Sequence, residues 1–354
     1  MRVVFCFGGS SGAYNVPQGS VVRGIQLMKG LKMAGADVTI IFPNGKPRVV
    51  KGVNIAIGDY VTILKRIEKS KGIDVIYVRG HHLIGEIRKH FPRKKICLEL
   101  YLNPYFPKIR RKDFSVYRFV DYFVVVGETY HKYSLLWLKE LGAKHIRPNT
   151  IINPSYDEVV AKKWSKNKRI YDSCAFDAIT YTHFTPNLVQ AIANSGSSAV
   201  IGKSYPKNKE AFGKIRKIRW GNKKIKLVNA GINNIYSYYS KCLTAFALYG
   251  QPELFARAGN LCERDILVSN RIVEAIGNGC IPIVSKNVGN VDILGDRTDI
   301  FSTDNDVRSL TEKLNDVLNR YDYYKEELSK VDIEKFSNIK MGKKLYEFLK
   351  SVSK

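Results

Sequence analysis

The chain has 354 residues, 45% of them hydrophobic, enough for two domains that each bury a core. No apolar run reaches the roughly 18 residues of a membrane span, and six widely spaced cysteines without a CxxC pair exclude a zinc site of the usual spacing. The formal charge of +26, from 58 Lys and Arg against 32 Asp and Glu, calls for an anionic partner: nucleotide phosphates, an acidic acceptor, anionic lipid or nucleic acid.

RVVFCF (2–7) reads as a buried first strand; its apolar run is too short before the glycines for a signal peptide. GGSSGAYNVPQGS (8–20) is a glycine-rich loop, and VVRGIQLMKGLKMAG (21–35) has helical spacing and stops at Gly35. DVTIIFP (37–43) is the next strand, so the chain opens as a βαβ unit. IDVIYVRG (73–80) and KKICLELY (94–101) are strands flanking the helical GEIRKHF (85–91). VDYFVVVGE (120–128) is a strand and TYHKYSLLWLKELGA (129–143) a helix; HIRPNTIINPSYDE (145–158) is a short strand and a proline-punctuated linker.

The second half restarts the pattern. DSCAFDAIT (172–180), SSAVIGK (197–203), KIKLVNAG (224–231) and LTAFALYG (243–250) read as strands, with PNLVQAIANSG (186–196) and NNIYSYYSKC (233–242) helical between them. SNRIVEAIGNGCIPIV (269–284) reads as a short helix with Glu274 on its first turn, a stop at Gly279 and a buried strand. DNDVRSLTEKLNDVLN (304–319) and NIKMGKKLYEFLKSV (338–352) are amphipathic helices, and FGKIRKIRWGNKKIK (212–226) is the nearest thing to a charge run. Two blocks of alternating strands and helices predict an α/β protein with two Rossmann-like domains and mostly parallel sheets facing a central cleft. The expected domains are 1–153, joined by the returning helix 338–352, and 154–337. Residues 1–150 carry 26 basic against 10 acidic residues, net +16, and the rest 32 against 22, net +10. The first half is therefore the more basic, and contact with an anionic membrane is expected there.

The order of these pieces resembles the two-Rossmann-domain (GT-B) glycosyltransferases, and more closely glycosyltransferase family 4. The resemblance runs over most of the chain and is strongest in SNRIVEAIGNGCIPIVSKNVGNVDIL, with a Glu-Ala helix, a glycine, a proline-bearing strand and a later glycine. It implies sugar transfer from a UDP- or GDP-sugar to a glycan, glycoconjugate or lipid-linked acceptor. The first domain would bind the acceptor and the second the donor, without a metal or other cofactor and with retention of configuration. Backbone N–H groups at Ser269 and Asn270, with Arg271, would face the diphosphate, and Glu274 would hold the donor ribose.

Two departures stand out. The family's usual partner glutamate, seven residues intervening before the first, falls on Ile266, and no basic residue follows the first strand of the second domain, which leaves Lys203 as a substitute. In the first domain Gly8, Gly9 and Gly12 form a loop able to approach the diphosphate or sugar, without GxGxxG spacing. His81 and His82 follow a strand end and are candidates for proton transfer; Glu99, at the end of the next strand, is a candidate base. DND (304–306) matches the DxD metal motif of the other major glycosyltransferase fold, but its place before a helix makes capping its expected role.

An epimerase of the same fold, a nucleotide-binding relative without transfer activity, and a nucleic-acid binder remain alternatives. No nucleic-acid recognition motif accompanies the charge, so no specific nucleic acid is expected. The expected location is cytoplasmic, with peripheral membrane contact.

Overall fold

The computed structural model describes residues 1–8, 19–100, 116–133, 149–176, 185–202, 209–230, 234–249, 257–258, 261–262, 266 and 268–353. The chain forms two compact units, one built on 23–155 with residues 1–8 and the segment from 336 onward, the other on 156–335 together with residues 19–22, the first turn of a helix whose remainder belongs to the first unit.

The first unit runs β1 (Arg2–Phe7), α1 (Gly19–Met33), β2 (Asp37–Phe42), β3 (Arg48–Val50), β4 (Val53–Ile57), α2 (Tyr60–Lys71), β5 (Val75–Arg79), α3 (Ile84–His90), β6 (Lys95–Leu100), β7 (Tyr122–Val125) and β8 (Asn149–Ile151). These strands form one sheet in the order β3-β4-β2-β1-β5-β6-β7-β8, parallel except for the β3–β4 pair. Val3 to Cys6 and Val75 to Val78 are fully buried, as central parallel strands covered on both faces must be. Strand order reverses between β1 and β5, which places the ligand crevice of such a sheet at their carboxyl ends.

The second unit runs α4 (Glu158–Trp164), β9 (Tyr171–Ala175), α5 (Thr185–Asn194), β10 (Ala199–Gly202), α6 (Lys209–Gly221), β11 (Ile225–Val228), α7 (Ile235–Tyr239), β12 (Cys242–Ala247) and the antiparallel pair β13 (Arg257–Ala258) and β14 (Leu261–Cys262). It continues with α8 (Asn270–Gly277), β15 (Ile281–Ser285), two short helices α9 (Val291–Leu294) and α10 (Thr298–Phe301), β16 (Ser302–Thr303), α11 (Val307–Asn319) and α12 (Tyr321–Ser329). Its main sheet is parallel throughout, in the order β11-β10-β9-β12-β15-β16, and reverses between β9 and β12.

The last helix, α13 (Asn338–Val352), belongs to the first unit. Ser337 caps it by accepting from the Lys340 amide at 3.2 Å, and its far end is held by the Tyr122 hydroxyl, which donates to the Val352 carbonyl. It crosses α1 where Gly30 meets Gly342; a Cβ on either residue would overlap the other helix's backbone, so only glycine allows this spacing.

Three readings from sequence need correction. β3, β4 and α2 lie in a stretch that carried no expected element. The basic run 212–226 is mostly helix, the greater part of α6. Glu274 sits on the second turn of α8, because Ser269 is the cap and Asn270 the first helical residue.

Candidate functional site

In the second unit, β12 delivers the chain to α8, whose N-terminus therefore lies on the carboxyl-end side of the sheet. Ser269 is extended (φ −87°, ψ 125°), and its Oγ accepts from the Arg271 amide at 3.3 Å, satisfying one of the open N–H groups of the first turn. Asn270 to Ile276 are all buried, against the exposed face a short surface helix would keep. At the end of the helix, Gly277 lies against Tyr156 so closely that a Cβ would overlap the ring. Asn278 closes the helix with its side chain donating to the Glu274 carbonyl at 2.7 Å, and Gly279 adopts φ 75°, a turn that glycine makes without strain.

Arg271 is 8% exposed. Both its Nη atoms donate to the Leu248 carbonyl at 3.2 Å, and its guanidinium carbon lies 5.1 Å from the centroid of the Tyr249 ring. Glu274 is 3% exposed, so it is not a solvated surface carboxylate. Tyr236 on α7 senses its charge: burial, and then the Glu274 carboxylate, push the Tyr236 phenol well above the usual range. That phenol accepts from the Asp157 amide at 2.8 Å, which ties α7 to the start of α4.

A polar network fixes the strand ends beside Arg271. The Tyr249 amide donates to Ser285 Oγ, Ser285 Oγ donates to Asn305 Oδ1, and Asn305 Nδ2 returns to the Tyr249 carbonyl, each at 2.8 Å. Asn290 Nδ2 donates to the Ser285 carbonyl at 2.9 Å, and the Gly289 amide donates to Asn287 Oδ1 at 2.6 Å. Asn305, the middle residue of the DND stretch, is thereby a brace for β12 and β15. Its neighbours have other partners: Asp304 pairs with Lys286 at 2.7 Å, and Asp306 caps α11 by accepting from the Ser309 amide at 2.9 Å. The Ser309 hydrogen bonds hold the Asp306 carboxyl below the usual range.

The first unit places Gly8, Gly80 and His82 together at the carboxyl ends of β1 and β5. The Gly8 amide donates to the Arg79 carbonyl at 2.6 Å. A Cβ on Gly8 would lie 2.8 Å from that oxygen and 3.0 Å from His82 Cε1; one on Gly80, which has φ 120°, would lie 3.0 Å from both Gly8 Cα and His82 Cε1. His81 and His82 follow on a single 3-10 turn with ring centroids 6.0 Å apart. Partial burial lowers the pKa of His82, favouring the neutral imidazole.

Glu99 is the candidate whose surroundings differ most from those expected. Its carboxylate has no exposure and is clamped between Arg23 Nε at 2.8 Å and Arg79, with Nε at 2.8 Å and Nη2 at 2.5 Å. Burial raises its pKa, but the Arg79 and Arg23 charges outweigh this and leave it below the usual range. A carboxylate held ionised by two guanidiniums is a poor proton acceptor, so a general-base role does not suit this environment. The cluster instead stiffens β5 and β6 behind Gly8, with Arg23 Nη2 also donating to the Ile152 carbonyl at 2.7 Å. Gly9, Gly12 and Lys203 lie outside the described residues.

The structure thus gathers Ser269, Asn270, Arg271 and Glu274 on one helix in the second unit, and Gly8 with His82 in the first. Sequence reading missed Tyr249, Ser285 and Asn305, and it missed the two arginines behind Glu99. A signal was present for the arginines: each is a lone charge in an apolar run, in VVRGI and IYVRG.

No protein-family model matches the chain, and no curated protein matches it by sequence. Solved structures do match over its full length. Sucrose-phosphate synthase (tll1590) from Thermosynechococcus elongatus aligns with a TM-score of 0.70 at 11% identity, over 99% of both chains. The chain has the GT-B fold. Anabaena Alr3699/HepE, solved in complex with UDP and glucose, aligns at 0.66 and 15% identity over 99% of this chain and 100% of its own. The UDP-forming alpha,alpha-trehalose-phosphate synthase of Burkholderia vietnamiensis aligns at 0.67 and 11% identity over 99% and 97%. At these identities the likeness speaks for the GT-B fold; the chemistry has to be argued from this chain's own residues.

Proposed function

We propose that the protein is a GT-B glycosyltransferase that moves a sugar from a nucleoside-diphosphate sugar to a glycan, glycoconjugate or lipid-linked acceptor. The observation that carries this reading is the pairing of a buried arginine with a buried glutamate, Arg271 and Glu274, on a capped helix at the carboxyl end of β12. A core helix has no use for either charge, since each is costly to desolvate. A nucleoside diphosphate uses both.

Departure of the nucleoside diphosphate leaves negative charge on its phosphates and positive charge on the sugar. In this reading the N-terminus of α8 and the Arg271 guanidinium meet the phosphate charge, and Glu274 accepts hydrogen bonds from the ribose hydroxyls. The Tyr249–Ser285–Asn305 network keeps the floor under Arg271 rigid, so little reorganisation accompanies the reaction. Helix and guanidinium supply the counter-charge, and the reading calls on no metal. In the first unit, neutral His82 accepts or polarises the acceptor hydroxyl proton. Retention of configuration and membership of family 4 belong to the same reading. Ile266, apolar and buried, offers the donor sugar no carboxylate, so sugar contacts come from elsewhere.

A thermal-shift series with UDP, GDP and ADP and their glucose conjugates tests the donor site, starting with UDP because HepE was solved with it. One nucleotide should raise the unfolding midpoint, and Glu274→Ala should remove most of that rise. Silence across the whole series would sink the proposal. Product analysis then separates transfer from epimerisation, since an epimerase alters the sugar with no acceptor present.

A further inference from the structure

The helix α6 in the second unit carries the strongest feature that the proposed reaction does not use. Its inner face, with Ala211 and Ile215 buried, packs on its own unit. Its outer face presents Arg216, Arg219 and Trp220, at i, i+3 and i+4, which with Lys223 in the turn that follows line a shallow hollow of about 340 Å³. Trp220 is 83% exposed. Residues 209–226 hold eight Lys and Arg against one acid, Glu210, and that acid is already paired with Lys214 at 3.0 Å. Among the described residues, no carboxylate pairs with Arg216, Lys217, Arg219 or Lys223.

We infer that this face of α6 docks the protein on an anionic lipid bilayer, with Trp220 seated at the headgroup level and the surrounding basic side chains on lipid phosphates. An indole left in water is unfavourable, and its amphipathic ring partitions to the membrane–water interface. Three basic side chains share the hollow with a single indole, which fits a point anchor on a charged surface. A nucleic-acid groove is built differently, as a basic track with successive aromatic platforms, and among the described residues no second aromatic platform lines this hollow. The surface differs from the one expected from charge counts alone, which favoured the first half of the chain. The inference does not rest on the glycosyl-transfer reading.

The test is co-sedimentation of the full chain with vesicles of phosphatidylcholine containing phosphatidylglycerol, and with phosphatidylcholine vesicles alone. Each basic residue near an anionic surface contributes about five-fold in partitioning, so Arg216→Ala/Arg219→Ala should lower binding to the mixed vesicles by about 25-fold. An equal charge change on α2, Arg66→Ala/Lys69→Ala, should lower it far less. Brominated lipid should quench tryptophan emission in the parent protein, and Trp220→Phe should abolish the quenching. All these side chains are exposed, so the variants should retain the parent's circular dichroism. The inference is overturned if the mixed vesicles do not bind or if the α2 control loses as much binding as the α6 variant. It is also overturned if quenching survives Trp220→Phe, or if the α6 variant loses only binding to a single-stranded oligonucleotide.

Discussion

The guanidinium of Arg271 stacks over Tyr249, 5.1 Å from the ring centroid, while both terminal nitrogens donate to the carbonyl of Leu248, one residue earlier. A planar fork makes this arrangement possible, and an ammonium group does not reproduce it. Arg271→Lys should therefore keep the charge and lose the geometry. Hydrogen bonds to charged groups contribute about 1.5–3 kcal/mol, so nucleotide affinity should fall roughly 10- to 100-fold. Tyr249→Phe, which preserves the ring, should bind close to the parent, and Tyr249→Ala should not. Calorimetric titration of the three variants checks this.

Gly277→Ala sets two effects against each other. Alanine raises helix propensity by about 1 kcal/mol. The added methyl would overlap the Tyr156 ring, and overpacking of that kind costs about 1–3 kcal/mol. The overlap is with a buried ring rather than the end of a flexible chain, so the steric effect should win. The expected outcome is a lower urea midpoint and a weaker nucleotide-induced thermal shift, because Tyr156 sets where α8 sits. A more stable variant would contradict it.

Much of the fold was legible because the signal was local. Central stretches such as VVFCF and VIYV are unbroken apolar runs, and the returning helix 338–352 matches its expected limits. β3, β4 and α2 were missed because KPRVVKGVNIAIGDYVTILKRIEKSK mixes charges with short apolar pieces, and β4 is a strand through its pairing with β2 on one side and β3 on the other. The α8 cluster was legible because Ser, Asn, Arg and Glu lie within six positions of one helix. Asn305 and Ser285 were not, because their roles exist only once β12, β15 and the turn before α11 converge on Tyr249. Glu99 looked reactive because it ends a strand; the two arginines that neutralise it come from 20 and 76 positions away.

Glu99→Gln should therefore appear as a folding defect. It leaves Arg23 and Arg79 buried without their counter-ion, and breaking a buried pair in this way costs about 3–5 kcal/mol. The pH dependence has a definite sign. Because the folded carboxyl titrates below its unfolded value, its contribution is complete above the usual carboxylate range. It is lost as pH falls through the depressed folded value. The parent should thus lose stability on acidification more steeply than Glu99→Gln, and denaturant midpoints across an acidic pH series measure the difference.

His82 gives a second pH dependence, of activity. Its depressed pKa keeps the imidazole neutral down to below the ordinary histidine value of about 6.5. If it handles the acceptor proton, kcat should be flat through neutral pH and fall on an acid limb below that value, and His82→Gln should remove the limb along with most of the rate. General-base contributions are typically about 100- to 10,000-fold, which sets the scale of the loss. An acid limb that persists in His82→Gln would assign the proton transfer to another group.

The DND stretch can be separated residue by residue. Asp304 forms an exposed pair with Lys286, a contact worth roughly 0–1 kcal/mol, so Asp304→Ala should leave both stability and donor binding nearly unchanged. Asp306→Ala removes the α11 cap and should cost about 1 kcal/mol, again without effect on the donor. Asn305→Ala is the informative change. It unties the Tyr249 carbonyl and Ser285 Oγ together, so nucleotide affinity should fall although Asn305 lies outside the proposed donor contacts. A DxD metal site predicts the reverse order, with Asp304 and Asp306 decisive, activity abolished by EDTA and restored by Mg²⁺ or Mn²⁺. Measuring UDP-sugar turnover of the three variants with and without chelator distinguishes the two arrangements directly.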